Sequence, residues 1–482
     1  MRIVLVHYHL RRGGVTSVLL NQAGALAQAG VELLLLAGEA PEKDPGFPFT
    51  LVEALSYDRP GQFPAEHAAP AENAASASAE KRAEALALAI LRAMEERWGE
   101  AADVVHVHNP LIQKNRLLIP ALKILLGRGI RLFLQNHDLA EDFRPDVYMG
   151  GAEYPENCHY GVINSRDYFY LHHAGLRGEG LHLIPNEVSP LKALPSPERI
   201  RYLYPVRAIR RKNIGEALLL SVFIPSGRTV AFTLPPSEKD AAHYRRWVDF
   251  AAELGLPVEF ELGLKYSLPE LLGSAVCALS TSVKEGFGFS FLEPWTAGRG
   301  LVGRRIDYVC RDFEEDGLRF DGLYSSLEIP SDYIFTGGLR KKMEDAMKGI
   351  YRSFGMEAPP HLKQMITDDL GDRSSVDFGR LDEEIQESII RVIDANPTVR
   401  RDVVRANPFL ERLGDYEADE GLIEANRKVI AEKYGRERIV KILLEIYRSV
   451  MEDPVKQKIL KPTLLDLYLD PLRLSLVGMS YG

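Results

Sequence analysis

Cysteine is scarce in this sequence, and no apolar run is long enough to cross a bilayer. The 482 residues include only three cysteines, which lack the spacing of metal ligands. So small and odd a number fits a reducing compartment and argues against a disulfide framework. No apolar segment approaches the roughly 20 residues of a transmembrane helix, and no signal-peptide pattern opens the chain. The sequence therefore predicts a cytoplasmic protein that does not span a membrane.

The sequence also has fewer positively charged than negatively charged residues. The chain has 59 Lys and Arg residues against 68 Asp and Glu residues, a net charge of -9. Nucleic-acid binding needs a concentrated basic face, so we expect no nucleic-acid partner. The HExxH and GxSxG patterns are missing too, which gives no support to a zinc or Ser-His-Asp hydrolase. With 46% hydrophobic and 26% charged residues, the composition is that of a globular protein with two or more domains.

Short apolar segments alternate with helical patterns along much of the chain. A buried strand is predicted at 2–6, a glycine turn at 11–17, a helix at 18–29 and a strand at 31–37. This βαβ unit lacks GxGxxG, so the dinucleotide fingerprint is absent. Further strands are predicted at 103–108, 130–135, 181–186, 201–207, 229–233, 258–262 and 275–280. Two consecutive series of this kind predict an α/β fold with two Rossmann-like domains that face a cleft.

The most informative segment is a glycine-rich turn between the strand at 275–280 and a helical pattern. Two carboxylates, Glu285 and Glu293, lie on either side of this turn. Backbone N–H groups at such a turn, together with the positive end of the helix dipole, bind anions. The carboxylates cannot bind the anion, but they accept hydrogen bonds from hydroxyl groups next to it. A phosphate with neighbouring hydroxyls describes a nucleotide sugar.

The spacing of these two residues resembles the Glu-x7-Glu motif of retaining GT-B glycosyltransferases. This is the family-four group that contains sucrose-phosphate synthases, glycogen synthases and bacterial mannosyl- and glucosyltransferases. The resemblance implies that Glu285 is a catalytic residue that holds hydroxyls of the donor sugar and that Glu293 holds the ribose. The donor phosphates would then lie against the turn, whose residues are Phe287, Gly288, Phe289 and Ser290. The resemblance also implies the GT-B fold, in which C-terminal helices cross back to the first of the two domains.

A basic run follows the first strand of the second series. In Arg207-Ala-Ile-Arg-Arg-Lys212, four cations lie within six residues. The run resembles the Gly-Arg-x4-Lys pattern of the same family, although Val206 replaces the glycine. The resemblance implies that Arg207 and Lys212 are catalytic cations that clamp the donor diphosphate. Such cations stabilise the charge of the leaving group without a metal, so we expect neither a metal nor a cofactor. Gly13 and Gly14, at the first turn of the chain, are expected to add N–H groups to the donor site.

Histidines follow two strands of the first series. His137 and Asp138 come after one predicted strand, and His108 ends the strand before it. Ligands bind beyond the carboxyl ends of parallel strands, so we expect these side chains to face the cleft. The family resemblance implies a catalytic His137 beside the anomeric carbon, and His108 and Asp138 are the candidates for acceptor binding. Asn186 resembles part of the family's Pro-Asn-Gly-Val hinge, with Glu187 in place of the glycine.

Together these features predict a retaining hexosyltransferase, with glucose or mannose as the hexose and a UDP- or GDP-sugar as the donor. Its acceptor would be a hydroxyl group of a small soluble molecule. The predicted domains are an N-terminal acceptor domain at 1–188, a donor domain at 189–422, and closing helices with a tail at 423–482. Residues 300–420 and the tail at 458–482 carry no pattern that assigns a role. The sequence indicates neither the acceptor, nor the oligomeric state, nor one nucleobase over another.

Two other functions stay open at this point. A nucleotide-sugar 2-epimerase shares the architecture but needs an acid–base pair of carboxylates, for which Asp138 and Glu187 are the candidates. A catalytically degenerate scaffold would be expected to lose the charged set that this chain keeps, namely Arg207, Lys212, Glu285 and Glu293. Membrane contact is not expected, because the basic-apolar stretch of the first domain, at 114–131, is a weak membrane-surface signal.

Overall fold

The computed structural model describes residues 1–58, 72–334, 336–371, 373–414, 416–471 and 475–477. These residues form two compact units. The first comprises Met1–Glu187 and Tyr434–Leu469, and the second comprises Val188–Lys433 with the described residues after position 469. The segment predicted at 423–482 is thus divided between the units, and the part that belongs to the first unit is Tyr434–Leu469.

The structure describes alternating strands and helices, numbered here in chain order. The strands are β1 Arg2–His7, β2 Glu32–Ala37, β3 Phe49–Leu51, β4 Val104–His108, β5 Leu132–Asn136, β6 His159–Val162, β7 Leu181–Leu183, β8 Arg201–Arg207, β9 Thr229–Leu234, β10 Val258–Glu259, β11 Ala275–Ser280, β12 Leu301–Arg304, β13 Leu323–Tyr324, β14 Glu328–Pro330 and β15 Ser375–Asp377. The helices are α1 Gly14–Gln28, α2 Glu72–Trp98, α3 Leu118–Gly127, α4 Ser165–His173, α5 Ile214–Ser221, α6 Ala241–Leu254, α7 Leu268–Gly273, α8 Phe289–Thr296, α9 Asp307–Glu315, α10 Thr336–Ser353, α11 Leu362–Leu370, α12 Glu383–Ala395, α13 Pro397–Ala406, α14 Phe409–Gly414, α15 Glu420–Lys433, α16 Arg436–Glu452 and α17 Lys461–Tyr468.

Each unit is built around one parallel sheet. The strand order is β3-β2-β1-β4-β5-β6-β7 in the first unit and β10-β9-β8-β11-β12-β13 in the second. In both sheets the order reverses at the first strand, between β1 and β4 and between β8 and β11. The loops after these four strands therefore emerge at topological switch points, where open α/β sheets bind ligands. The predicted site residues lie at the ends of these strands, in the loops after them or after β5, or in the first turns of the helices that follow.

The strands of the first sheet are apolar because helices cover both of its faces. Along β1, Val4 and Val6 pack in one core with α2 and α3, whereas Ile3 and Leu5 pack in the opposite core with α1 and α16. This alternation follows from the two-residue repeat of a strand. Tyr447 of α16 is completely buried in the second of these cores. The C-terminal helix α16 therefore completes the core of the first unit.

Residues 300–420 complete the second unit. Strands β12 and β13 extend its parallel sheet, and β14 pairs with β15 in an antiparallel ladder. Arg304, at the end of β12, is buried and forms ion pairs with Glu216 of α5 and Asp377 of β15, each with an N···O distance of 2.7 Å. Through these ion pairs the small sheet is fixed to the parallel sheet.

These observations confirm the predicted fold class, an α/β protein with two Rossmann-like domains. Part of the C-terminal segment also returns to the first domain, as predicted: α16 belongs to the first unit, whereas α15 belongs to the second. Helix α17, in the tail to which no role was assigned, belongs to the first unit as well. Within the ranges that the structure describes, no helix combines the length and the apolar character needed to cross a membrane.

Candidate active site

Two loops of the second unit bring a carboxylate against two cations. The first loop follows β8, and the second follows β11, its neighbour in the sheet. Lys212 Nζ forms an ion pair with Glu285 Oε1, and Arg211 Nη1 lies 2.8 Å from Glu285 Oε2. Arg211 also donates to the Lys284 carbonyl at 2.7 Å, while its own carbonyl accepts from the Val283 N–H at 3.0 Å. The predicted residues Lys212 and Glu285 are thus brought together at the switch point of the sheet.

The pair is almost completely removed from water, since only 8% of Lys212 and 7% of Glu285 are exposed. Burial lowers the pKa of Lys212 to about 8, although the Glu285 carboxylate opposes this change. Burial by itself would raise the pKa of Glu285, but Lys212 and Arg211 outweigh it and hold this pKa at about 2. Glu285 is therefore ionised at neutral pH and faces two cationic side chains.

Tyr308, on α9, fixes the peptide unit of Glu285. The Glu285 N–H donates to the Tyr308 hydroxyl oxygen at 3.1 Å, and the Tyr308 hydroxyl donates to the Glu285 carbonyl. Both polar groups of the Glu285 backbone thus bond one side chain. On the opposite loop, the Tyr204 and Thr281 hydroxyls each donate to the Lys212 carbonyl at 3.0 Å. Glu285 and Lys212 are therefore held in place through their backbones as well as by the ion pair between their side chains.

Asn213, directly after Lys212, joins the cationic loop to the buried ion pairs of the second unit. Its backbone is left-handed, with a φ of 50°, and its side chain donates to Glu216 at 2.7 Å. Glu216 in turn pairs with the buried Arg304. This network was not predicted, because its members lie far apart in the sequence and belong to no motif. Its effect is to fix the end of the loop that carries Lys212.

The glycine-rich turn lies between Glu285 and α8. Gly288 adopts a φ of 94°, and a Cβ atom at this position would lie 2.5 Å from Val309 Cγ1. Both the backbone angle and the lack of space require glycine here. Helix α8 begins at the next residue, Phe289, so its first N–H groups are unsatisfied within the helix. Ser290 Oγ, in this first turn, is buried and has no hydrogen-bond partner among the described residues. The turn thus offers N–H and hydroxyl donors to an anion.

Glu293 lies in α8, one turn beyond Ser290. Burial raises the pKa of its carboxyl group to about 7. In the described part of the chain, this carboxylate makes no ion pair or hydrogen bond, and burial alone shifts its pKa. Glu293 is therefore a partly buried carboxyl group that can accept hydrogen bonds from a ligand.

Arg207, the last residue of β8, is exposed, and its guanidinium donates to the Pro235 carbonyl at 3.4 Å. It does not share the ion pair that Lys212 makes. The second cation on Glu285 is Arg211, which was not predicted as a site residue although it belongs to the same basic run. The sequence signal for Arg211 is the run itself, which contains four cations within six residues.

Helix α1 begins directly at the predicted glycine loop of the first unit. Gly13 precedes α1, and no side chain in the described ranges caps the helix there. A Cβ atom at Gly13 or Gly14 would meet no atom of the described residues closer than 3.9 Å, so packing against these residues does not require either glycine. Thr16 Oγ1, in the first turn, is buried and lacks a hydrogen-bond partner within the described residues. The amino end of α1 is thus open to a ligand.

The predicted histidines lie together after β4 and β5. His108 Nδ1 and His137 Nε2 lie 3.2 Å apart, and the two rings stack with an interplanar angle of 11°. Asn109 Oδ1 accepts from the His137 N–H at 3.0 Å and from the Asp138 N–H at 2.9 Å. Burial lowers the pKa of His137 to about 4 and that of His108 well below its usual range. Both imidazoles are therefore neutral at physiological pH.

The two carboxylates considered for an epimerase are each tied to an arginine of the first unit. Asp138 pairs with Arg144 at 2.7 Å, and Glu187 pairs with Arg436 at 3.1 Å. These ion pairs do not favour Asp138 and Glu187 as an acid–base pair. Among the residues described, no group of three or more His, Cys, Asp or Glu side chains is arranged to hold a metal ion.

Comparisons with known proteins agree with this fold. No family model matches the chain. Mannosylglucosyl-3-phosphoglycerate synthase of Petrotoga mobilis is 25% identical over 420 residues, which cover 80% of each chain. Among solved structures, sucrose-phosphate synthase from Thermosynechococcus elongatus matches 93% of this chain and 98% of its own, with a TM-score of 0.52 and 16% identity. The Anabaena protein HepE, in complex with UDP-glucose, matches 93% of this chain and 100% of its own, with a TM-score of 0.53 and 13% identity. The chain therefore has the GT-B fold.

Proposed function

We propose that this protein is a retaining glycosyltransferase. It moves a hexose, glucose or mannose, from a nucleoside-diphosphate sugar to a hydroxyl group of a small soluble acceptor. The observation that carries this proposal is the buried cluster of Lys212, Glu285 and Arg211 at the switch point of the second sheet. A nucleotide sugar has the matching chemistry, because it presents anionic phosphates beside neutral hydroxyls.

Lys212 and Arg211 supply the positive charge in this mechanism. When the glycosidic bond breaks, the nucleoside diphosphate gains negative charge, which these cations and the N–H groups at the start of α8 stabilise. A fixed electrostatic group of this kind typically contributes about 10²–10³ in rate. Arg207, exposed at the end of β8, adds a third cation for the diphosphate. No metal ion or cofactor is needed for this step.

Glu285 and Glu293 hold the neutral parts of the donor. Each carboxylate oxygen has two lone-pair sites, so Glu285 can bond its cations and still accept from sugar hydroxyls. Glu293 accepts from the ribose hydroxyls, which supply the hydrogen-bond donors that this buried carboxyl group lacks. In the retaining mechanism, the acceptor hydroxyl approaches the face that the diphosphate leaves. A phosphate oxygen of the leaving group then takes the acceptor's proton.

The first unit supplies the acceptor side. We assign a catalytic role to His137, because its neutral imidazole can exchange hydrogen bonds without adding charge to a positively charged, oxocarbenium-like sugar. Gly13 and Gly14 present the open amino end of α1 to the donor phosphates. The Petrotoga relative supports a sugar-transfer reaction on a small hydroxylated molecule, and the UDP-glucose bound to HepE supports a nucleotide-sugar donor.

The proposal is tested by incubating the full-length protein with UDP-glucose, GDP-glucose and GDP-mannose in the presence of EDTA and a mixture of small polyols and hydroxy acids. We expect one donor to be consumed, with release of its nucleoside diphosphate and formation of an α-linked product, as read by NMR at the anomeric carbon. A β-linked product would disprove retention, and loss of activity with EDTA would disprove metal independence. If no donor is consumed under any condition, the proposed reaction is wrong.

A further inference from the structure

Two pairs of histidines in the first unit have almost the same geometry. In the first pair, His108 Nδ1 lies 3.2 Å from His137 Nε2, and the two rings are 11° from parallel. In the second pair, His159 Nδ1 lies 3.0 Å from His182 Nε2, and the rings are 6° from parallel. Burial lowers the pKa of all four imidazoles, so each ring is neutral above pH 7. A neutral imidazole has a single N–H group, so in each pair one ring donates and the other accepts.

The second pair shows how a contact of the other ring nitrogen decides which ring donates. His159 Nε2 lies 2.9 Å from the carbonyl oxygen of Asp453, and a carbonyl oxygen can only accept a hydrogen bond. His159 therefore carries its proton on Nε2, which leaves its Nδ1 as an acceptor. His182 must then donate from its own Nε2. His182 is thus fixed as the Nε2–H tautomer.

In the first pair, the other nitrogen of His108 has no such contact. His108 is completely buried, and its Nε2 has no hydrogen-bond partner among the described residues. A proton on this nitrogen would make a buried N–H group without an acceptor, which is rarer in folded proteins than an acceptor without a donor. The proton of His108 therefore lies on Nδ1, and His137 Nε2 accepts it. His137 then carries its own proton on Nδ1, which is the opposite tautomer to that of His182.

The Nδ1–H group is the part of the His137 ring that remains for a ligand. Within the described ranges, the contact with His108 is the only hydrogen bond of this ring, and it occupies Nε2. His137 keeps 6% of its surface exposed, whereas His108 behind it keeps none. Asn109 Oδ1 accepts from the backbone N–H of His137 at 3.0 Å, which fixes the start of the loop. In this tautomer, Nδ1 can donate to a ligand oxygen but cannot take a proton from it.

We propose that His108 is a positioning residue that fixes His137 as its Nδ1–H tautomer, so that His137 donates a hydrogen bond to a substrate oxygen and does not act as a base. The catalytic part of this inference rests on the proposed function, whereas the position of the proton does not. His137 donates a hydrogen bond and transfers no proton. This role agrees with the proposed reaction, in which a phosphate oxygen of the leaving group takes the proton of the acceptor.

The first measurement is an NMR spectrum of the full-length wild type at pH 8, labelled with ¹⁵N in its histidines. The ¹⁵N chemical shift separates a ring nitrogen that carries a proton from one that has a lone pair, and the variants H137Q and H182Q assign the signals. We expect His137 to carry its proton on Nδ1 and His182 to carry its proton on Nε2. A proton on Nε2 of His137 would overturn the inference. This result requires no substitution at His108.

The second measurement compares H108A with H108N. H108A leaves a space that water can fill, and water both donates and accepts, so the His137 signals should move towards a mixture of the two tautomers. H108N places an amide N–H donor close to the position of Nδ1 and should keep the wild-type tautomer. H108A should lower kcat about 10-fold, and H108N should lower it less. The affinity for the free nucleoside diphosphate should stay within about twofold in both variants.

The matched control is H159A, which removes the corresponding ring of the second pair. It should alter the signals of His182 and leave both kcat and the tautomer of His137 unchanged. Thermal unfolding of each variant shows whether it is folded.

Two results with the variants would contradict the role of His108. In the first, H108A keeps His137 in the wild-type tautomer. In the second, H108A and H108N lower kcat equally. If the wild type consumes no donor, the proposed function fails, and the catalytic part of the inference fails with it. The spectrum of the wild type still decides where the proton of His137 lies, so the two failures can be told apart.

Discussion

Lys212 and Glu285 form an ion pair that is almost completely buried, although 72 residues separate them in the chain. Each is carried by the loop after a neighbouring parallel strand, and each is held by its backbone through a tyrosine hydroxyl. A buried ion pair rarely stabilises a protein more than apolar residues of the same size would. Its presence at the switch point of a sheet is better explained by ligand binding.

The first prediction concerns the stability of this pair. E285Q leaves the Lys212 charge buried without its main partner, so the variant should be destabilised by roughly 3–5 kcal/mol. The double variant E285Q/K212M removes both charges and should recover most of that stability. Neither variant should turn over donor. Chemical unfolding and donor-consumption assays of the wild type, E285Q, K212M and the double variant check the prediction. Recovery of activity in the double variant would show that the pair is structural.

The second prediction concerns Tyr308, which bonds both the N–H and the carbonyl of Glu285. Y308F should lower kcat about 10-fold, because Glu285 is less firmly placed against the sugar. The affinity for the free nucleoside diphosphate should stay within about twofold, since Lys212 and Arg211 remain in place. The matched control is Y333F, which removes a surface hydroxyl that bonds Asp402 at 2.9 Å. Equal losses of kcat in the two variants would contradict a positioning role for Tyr308.

The third prediction follows from the raised pKa of Glu293. A carboxyl group whose pKa rises on folding, here to about 7, binds its proton more tightly in the folded state. It contributes stability below its unfolded pKa of about 4.5, and this contribution is lost as the pH rises through about 7. E293Q should therefore be more stable than the wild type at pH 8, by on the order of 1–3 kcal/mol, and similar to it at pH 4.

E293Q should also bind the nucleotide more weakly, because the amide replaces one acceptor oxygen for the ribose. E437Q, at an exposed position of α16, is the control for both measurements. Unfolding at pH 4, 6 and 8 and calorimetry with the diphosphate check the two effects. If the stability difference between E293Q and the wild type does not vary with pH, the pKa of Glu293 is not raised in the folded protein.

The fourth prediction concerns acid sensitivity. Burial lowers the pKa of His137 to about 4, so the unfolded chain takes up a proton at this residue before the folded protein does. Stability should therefore fall as the pH drops from about 6.5 to 4, by up to about 1.4 kcal/mol per pH unit for each such histidine. H137Q should reduce this slope, whereas H173Q, at an exposed position, should not. An unchanged slope in H137Q would mean that other groups govern the acid transition.

Much of the fold could be predicted from the sequence, because buried parallel strands are short apolar runs and the helices between them have a clear period. Residues 300–420 could not be assigned in this way. The structure of this segment depends on the short strands β14 and β15 and on the ion pairs of Arg304 with two carboxylates. None of these features gives a periodic pattern in the local sequence. Such contacts join distant parts of the chain and leave no pattern in any one window.

Only part of the candidate site could be predicted from the sequence, for a similar reason. The loops that carry Lys212 and Glu285 could be found from the motif, and the structure brings the two residues together. Which neighbouring arginine joins them depends on the 3-10 turn at Arg210–Lys212, which directs Arg211 to Glu285. The sequence shows four cations in this run but not the direction of each side chain.

The central claim is that Lys212, Arg211 and Glu285 form a binding site for a nucleoside diphosphate. The most direct test is thermal unfolding of the wild type and K212M with UDP, GDP, ADP, TDP and the corresponding monophosphates. We expect one diphosphate to stabilise the wild type by about 2.7 kcal/mol at 100 times its Kd, and to stabilise K212M much less. The stabilisation by each monophosphate should differ less between the wild type and K212M. If no diphosphate stabilises the wild type, or if K212M responds as strongly, the second unit does not bind the donor in this way.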